Sequence, residues 1–256
     1  CTLSYTGVNA GIVILCADDP SMHSSQNEQD NRYYARLAKV PMFEPSDSQE
    51  ALDMVKAAFD ISEQFDTPVL VRVTTRISHS RTLVAPGRRK KVKQKPFERN
   101  PQKFVMVPAF ARRRHKFEVE RMGRLAQHSE TTPLNRMEKG DKKLGVISAA
   151  VAYQYAREAF PDASFLKLGM THPLPEKLIK KFAKSVDRVY VVEELEPFME
   201  EQIKAMGVKV LGKDKLPVTD ELNPDVVREG FGRKRRRHPV EDASDLPLRP
   251  PNLCAG

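Results

Sequence analysis

The run Gly11-Ile12-Val13-Ile14-Leu15-Cys16-Ala17 is apolar throughout and ends abruptly at Asp18-Asp19-Pro20. Strands covered by helices on both faces of a parallel sheet read as such continuous apolar runs. The polar stretch that follows, through Arg32, offers little to bury. The pattern predicts a central parallel strand that delivers a loop to the carboxyl edge of an α/β sheet, where open sheets of this class place their ligands. His23, Ser24, Ser25, Gln26, Asn27 and Gln29 fill that loop with donors and acceptors. Such side chains orient a bound molecule by hydrogen bonds, so these six are the candidate binding residues.

The flanking sequence keeps the same alternation. A helix is expected from about Asn27 to Ala38, then a short extended piece over 41–44. Pro45-Ser46-Asp47-Ser48-Gln49-Glu50 starts a second helix, with capping-box spacing for Ser46 and Gln49 or for Asp47 and Glu50. Leu52, Val55, Phe59 and Ser62 share one stripe of it, and Phe65 closes that stripe. Thr67-Pro68 ends the helix, and Val69 to Val73 is β-branched and strand-like. The order β-α-β-α-β implies a parallel sheet within 1–80. A second α/β unit is expected over 143–229, with strands at 144–147, 163–168, 188–192 and 207–211. Helices fill the gaps at 149–160, 175–184 and 197–206, the middle one burying Leu178, Ile179 and Phe182. Pro175 and Pro197 suit first helical turns, and Gly207 suits a helix end.

Charge separates these units from what joins them. The net charge is +9, yet Arg81 to Lys143 alone holds 19 Lys and Arg against six Asp and Glu. Prolines at 86, 96, 101 and 108 break up that stretch, which reads as a basic connector over 81–142 with one helix from Phe110 to about Gln127. Nucleic-acid binders place positive charge on a folded face with interleaved aromatics. The connector instead suits solvent or an acidic partner subunit. Residues 230–256 read as a linker, and Arg233-Lys234-Arg235-Arg236-Arg237-His238 within them as its solvated part. No apolar stretch approaches the roughly 18 residues of a membrane span. Three cysteines, Cys1, Cys16 and Cys254, are too few for a disulfide framework, so a reducing cytoplasm is expected. An initial Cys1 and a final Pro250 to Gly256 that lead toward another unit point to a fragment.

Other motifs have two readings each. Tyr5 to Gly11 is glycine-rich but precedes a strand, which favours a turn over a phosphate loop. His23 could act as acid or base, or only as a hydrogen-bonding residue. His79 could cap the sheet edge. Glu193-Glu194-Leu195-Glu196 could bind metal or act as acid and base; beside Pro197 it better complements a helix N-terminus. Cys254-Ala255-Gly256 offers half of a Cys-x-x-Cys ligand pair, so Cys254 is the candidate metal ligand.

Longer strings carry a resemblance. Ala17-Asp18-Asp19-Pro20, Met22-His23-Ser24-Ser25-Gln26-Asn27-Glu28-Gln29-Asp30 and Glu44-Pro45-Ser46-Asp47-Ser48-Gln49-Glu50-Ala51 closely resemble alpha subunits of the indolepyruvate:ferredoxin oxidoreductase family. So do Thr74-Thr75-Arg76-Ile77-Ser78-His79-Ser80, Tyr190 to Phe198, and Glu221-Leu222-Asn223-Pro224-Asp225. The resemblance implies a thiamine-diphosphate enzyme that decarboxylates aryl 2-oxoacids, joins the acyl group to coenzyme A and reduces ferredoxin through iron–sulfur clusters. It implies Mg2+ as a second cofactor and a beta (gamma-domain-type) subunit as partner. On that map 1–80 is the later part of the pyrimidine-binding domain and 143–229 a transketolase C-terminal-like domain. Residues 230–256 would lead into a diphosphate-binding domain. The glutamate that activates thiamine is expected before the segment matching Cys1, and neither Glu28 nor Glu50 takes that role. From another class, the rival is a non-catalytic assembly module built on the same two sheets.

Overall fold

The computed structural model describes residues 1–88, 92 and 94–235. The tail with Cys254, the charges at Arg236 to His238 and part of the run Arg88 to Lys93 lie outside the described residues. A short helix α1 (Thr2–Thr6) precedes strand β1 (Val13–Asp18), followed by α2 (Arg32–Ala38), β2 (Met42–Phe43), α3 (Ser48–Phe65), β3 (Val69–Thr74) and α4 (Thr75–His79). Next come α5 (Pro101–Phe104), the long α6 (Pro108–Ser129), β4 (Arg136–Glu138), β5 (Asp141–Ala149) and α7 (Ala150–Ala159). The remainder is β6 (Ala163–Leu168), β7 (Met170–His172), α8 (Glu176–Ala183), β8 (Val189–Val192), α9 (Phe198–Ala205) and α10 (Pro224–Gly230).

These elements make an α/β protein with two four-stranded, mostly parallel sheets, in the orders β1-β3-β2-β7 and β4-β6-β5-β8. β3 pairs in parallel with β1 and β2, and β5 with β6 and β8. One antiparallel strand completes each sheet: β7 beside β2, and β4 beside β6. Both cross the boundaries drawn from sequence. β4 comes from the stretch read as connector, and β7 from the second unit closes the first sheet. Gly169 alone separates β6 from β7, and a Cβ there would lie 2.6 Å from the Leu134 carbonyl oxygen. Only glycine allows that approach, so one residue passes the chain between sheets.

The helices show how local chemistry sets their limits. Asp47 Oδ1 accepts from Glu50 N at 2.8 Å, and Glu50 reaches back to accept from Ser46 N at 2.8 Å, so α3 begins at the expected capping pair. Its buried face carries Met54, Ala58, Ile61, Ser62 and Phe65, while Phe59 remains 47% exposed. That face is turned from the predicted stripe because the partners are Phe43, Val69, Val71 and Met170 on the first sheet. α2 starts at Arg32 rather than Asn27, and Asn31 N, just before it, donates to Asp18 Oδ2 at 3.0 Å instead of to a helical carbonyl. The strand expected at 207–211 shrinks to one bridge, Tyr190 to Leu211. α6 is more than a linker: Leu125 and Arg121 are buried, and Arg121 donates to the Ser4 and Asp66 carbonyls at 3.0 and 2.7 Å. The largest apolar cluster joins Ala35, Val40, Met42 and Leu70 of the first half to Ile147, Leu166, Leu168 and Val191 of the second. The two sheets therefore share a core.

The central position expected for β1 is corrected: among the described residues it is an edge strand, paired only with β3. Its apolar run asks for cover on both faces, yet Ile14 is 38% and Leu15 68% exposed. No described helix is long and apolar enough to cross a membrane. An apolar edge with free N–H and C=O groups templates strand pairing between molecules, and an edge lysine blocks it. Leu15→Lys should therefore leave the thermal midpoint unchanged and reduce self-association of this 256-residue chain, measured by sedimentation velocity.

Candidate functional site

Asp18 at the end of β1 and Thr74 at the end of β3 are partners in register, so the loop over 19–31 and α4 leave the first sheet side by side. Between them lies a cavity of about 160 Å³ lined by His23, Ser24, Thr75, Arg76 and His79. Asp19 braces this lining from behind, accepting from Thr75 Oγ1 at 2.6 Å and from the Ser24 and Ser25 amides at 2.8 and 3.0 Å. Burial opposes ionisation of Asp19, but these hydrogen bonds outweigh it and hold the pKa at about 2. Asp19 is thus a fixed anion that orders the loop.

Residues 220 and 221 of the second half pack against this loop. Glu28 accepts from Ser21 N at 2.6 Å and from Asp220 N at 3.0 Å. Ser21 Oγ accepts from Glu221 N at 2.9 Å. Arg76 forks onto the Glu221 carboxylate, with Nε donating to Oε2 at 2.7 Å, and His23 Nε2 lies 3.5 Å from the same oxygen.

Beneath the loop sit two buried arginines. Arg72 donates to Asp18 at 2.6 Å and Glu44 at 2.5 Å. Arg32, 2% exposed, donates to Asp30 at 2.7 Å, to Glu193 at 2.5 Å and to the Glu194 and Glu196 carbonyls at 2.8 Å each. Glu193 in turn accepts from the Met199 and Glu200 amides at 2.9 Å each, capping α9. That is the helix-terminal role favoured for the Glu193–Glu196 run. Asp18, Glu44, Arg72 and Thr74 each keep one buried polar atom without a protein partner among the described residues.

Of the residues singled out in the sequence, His23 and Ser24 line the cavity, and Ser25 contributes its amide to Asp19. Gln26, Asn27 and Gln29 are exposed and outside the lining, with Gln29 Nε2 donating to Asn27 Oδ1 at 2.5 Å. Thr75 and Arg76 were not weighed as site residues, and His79 only as a sheet-edge cap. Their signal was positional: they follow the strand that pairs with β1, so they must emerge beside its loop. Among the described residues no group of three His, Cys, Asp or Glu is placed to hold a metal ion.

No family model matches the chain. Curated relatives do. The indolepyruvate oxidoreductase subunit IorA of Methanothermobacter thermautotrophicus is 43% identical over 271 residues, covering 99% of this chain. This chain is similar to part of IorA. IorA from Archaeoglobus fulgidus is 38% identical over 275 residues, and IorA from Pyrococcus abyssi 39% over 284. The chain spans 44% of the length of each of these IorA relatives. Among solved structures, 2-oxoglutarate:ferredoxin oxidoreductase from Magnetococcus marinus superposes with a TM-score of 0.61 at 11% identity, over 90% of this chain and 49% of that one. A split-gene transketolase superposes with a TM-score of 0.50 at 14% identity, over 91% and 64% of the two chains. At those identities the likeness is one of fold.

Removing one partner of a buried ion pair strands the others, at a cost of about 3–5 kcal/mol. Arg32→Met in this chain should therefore lower the unfolding free energy in urea by about 3–5 kcal/mol. Adding Glu193→Gln should return part of that loss.

Proposed function

We propose that this chain is part of the alpha subunit of an indolepyruvate:ferredoxin oxidoreductase. Such an enzyme decarboxylates an aryl 2-oxoacid, transfers the acyl group to coenzyme A and passes electrons singly to ferredoxin. The observation that carries the reading is the 43% identity to IorA across 99% of the chain, with the polar loop at the carboxyl edge inside the matched region. The beta subunit, ferredoxin and a cytoplasmic setting follow from the same reading.

The cofactors of such an enzyme, thiamine diphosphate with Mg2+ and iron–sulfur clusters, do not fit the cavity beside the loop. A cavity of about 160 Å³ is smaller than the roughly 300–1,000 Å³ of small-molecule sites. The described residues also offer no three-ligand metal group. What they can supply is one wall. His23, Ser24, Thr75, Arg76 and His79 present donors and acceptors from two adjoining strand ends, and Asp19 and Glu28 keep the loop rigid while they do so. No chemical step is assigned to any of them. Their role in this reading is to orient a polar group of the bound molecule.

An orienting contact of about 1.4 kcal/mol is worth roughly tenfold in rate. In the complete enzyme, His23→Ala and Ser24→Ala should each lower turnover by about that factor while leaving the thermal midpoint in place. Wild-type kinetics in both variants would reduce the loop to scaffolding. The 256-residue chain alone should show no micromolar binding of thiamine diphosphate and Mg2+ by calorimetry; such binding would contradict the half-site reading.

A further inference from the structure

Three consecutive amides in the segment before α10 are each captured by a side chain. Asp220 N donates to Glu28 at 3.0 Å, Glu221 N to Ser21 Oγ at 2.9 Å, and Leu222 N to Glu194 Oε1 at 3.0 Å. The first two acceptors belong to the site loop, and the third stands at the end of β8 in the second sheet. Asp220 has φ +67°, a left-handed conformation that a non-glycine residue adopts only when its surroundings enforce it. The segment therefore clasps the loop to the second sheet, and its inner anchor is Glu194, only 5% exposed.

We propose that residues 220–222 are a pH-operated clasp, closed over the site loop while Glu194 is protonated and loosened when Glu194 ionises. Several groups act on that carboxyl. Arg72 of β3 and Arg32 of α2 favour its charge, and Glu221 opposes it. Tyr155 of α7, Arg76 of α4 and Lys213 also interact with it. Arg32 donates to Asp30, Glu193 and two carbonyls, and Arg72 donates to Asp18 and Glu44 with its Nη2 left without a partner among the described residues; neither guanidinium hydrogen-bonds Glu194. Among the described residues Leu222 N is its hydrogen-bond donor, and a lone backbone amide is weak company for a buried carboxylate.

Burial, reinforced by Glu221, pushes the Glu194 carboxyl from 4.5 up to about 7. Once the clasp opens, water reaches Glu194 and its ordinary value returns. A proton held more tightly in the closed form favours closure fully below pH 4.5, and that advantage is lost as pH rises through 7. The two values correspond to a change of up to about 300-fold in the open-to-closed ratio. The clasp needs no ligand, so it stands or falls apart from the enzyme class proposed above.

Hydrogen exchange of the 220–222 amides between pH 5 and 8.5, corrected for intrinsic rates, tests this. Protection should fall by up to about 75-fold across that pH range in the wild type and stay high and flat in Glu194→Gln. Core amides such as Val146 and Ile147 should hold their protection throughout. Wild-type protection that is independent of pH, a parallel fall in Glu194→Gln, or loss of the core amides in step would overturn the clasp. If Glu194→Gln does not fold, the wild-type carboxyl carbon can be titrated by NMR. A Glu194 midpoint near 7 supports the clasp, and one near 4.5 refutes it.

Discussion

Arg32 is the contact on which the rest of the architecture turns. One guanidinium, 2% exposed, ties the foot of the site loop through Asp30, the cap of α9 through Glu193, and the backbone after β8 through two carbonyls. Desolvating a charge costs several kcal/mol, and only full hydrogen bonding in good geometry offsets it. Arg32 has that bonding, but only when loop, strand end and helix all stand in place. The buried charge therefore specifies one arrangement of the two sheets more than it strengthens either. Arg72 repeats the device within the first sheet, joining β1 to the residue after β2.

A second tie holds the far side. Lys167 on β6 is fully buried, and its ammonium lies 2.5 Å from Glu50, the capping acid of α3. Arg136 of β4 reaches the same carboxylate at 2.8 Å. Burial raises the Glu50 pKa, but these two cations outweigh it and bring it to about 2. One glutamate thus caps a helix in the first half and neutralises a buried lysine from the second. With the apolar cluster between the sheets, this makes the loop over 19–31 a rigid feature of the pair of sheets.

Much of this could be read from the sequence, and the misses share a cause. Alternating apolar runs and capping signals gave the α/β class, the parallel pairing of β1, β2 and β3, and the start of α3, because these depend on local spacing. The place of β1 in its sheet did not follow, since an apolar run records the cover a strand needs, not which neighbours pair with it. β4 and β7 were missed because short edge strands are made by their partners and carry little pattern of their own. The face of α3 was misjudged because Phe59 is more apolar than Ala58, while packing space on the sheet favoured the smaller side chain. His23 and Ser24 could be found from the loop they occupy. Arg76 needed the register of β1 with β3, which no short motif encodes.

That register also explains the chemistry of the cavity. Arg76 is its permanent cation, and Glu221 already matches that charge, while three hydrogen bonds occupy Asp19. Net charge therefore offers a ligand little there. Recognition would come from the Ser24 and Thr75 hydroxyls and the rings of His23 and His79, of which the Thr75 hydroxyl is held by Asp19. A small polar wall, held rigid by a second sheet, can select a pose without supplying the reacting group. In the proposed enzyme such a wall would orient the bound molecule while other groups carry the reaction.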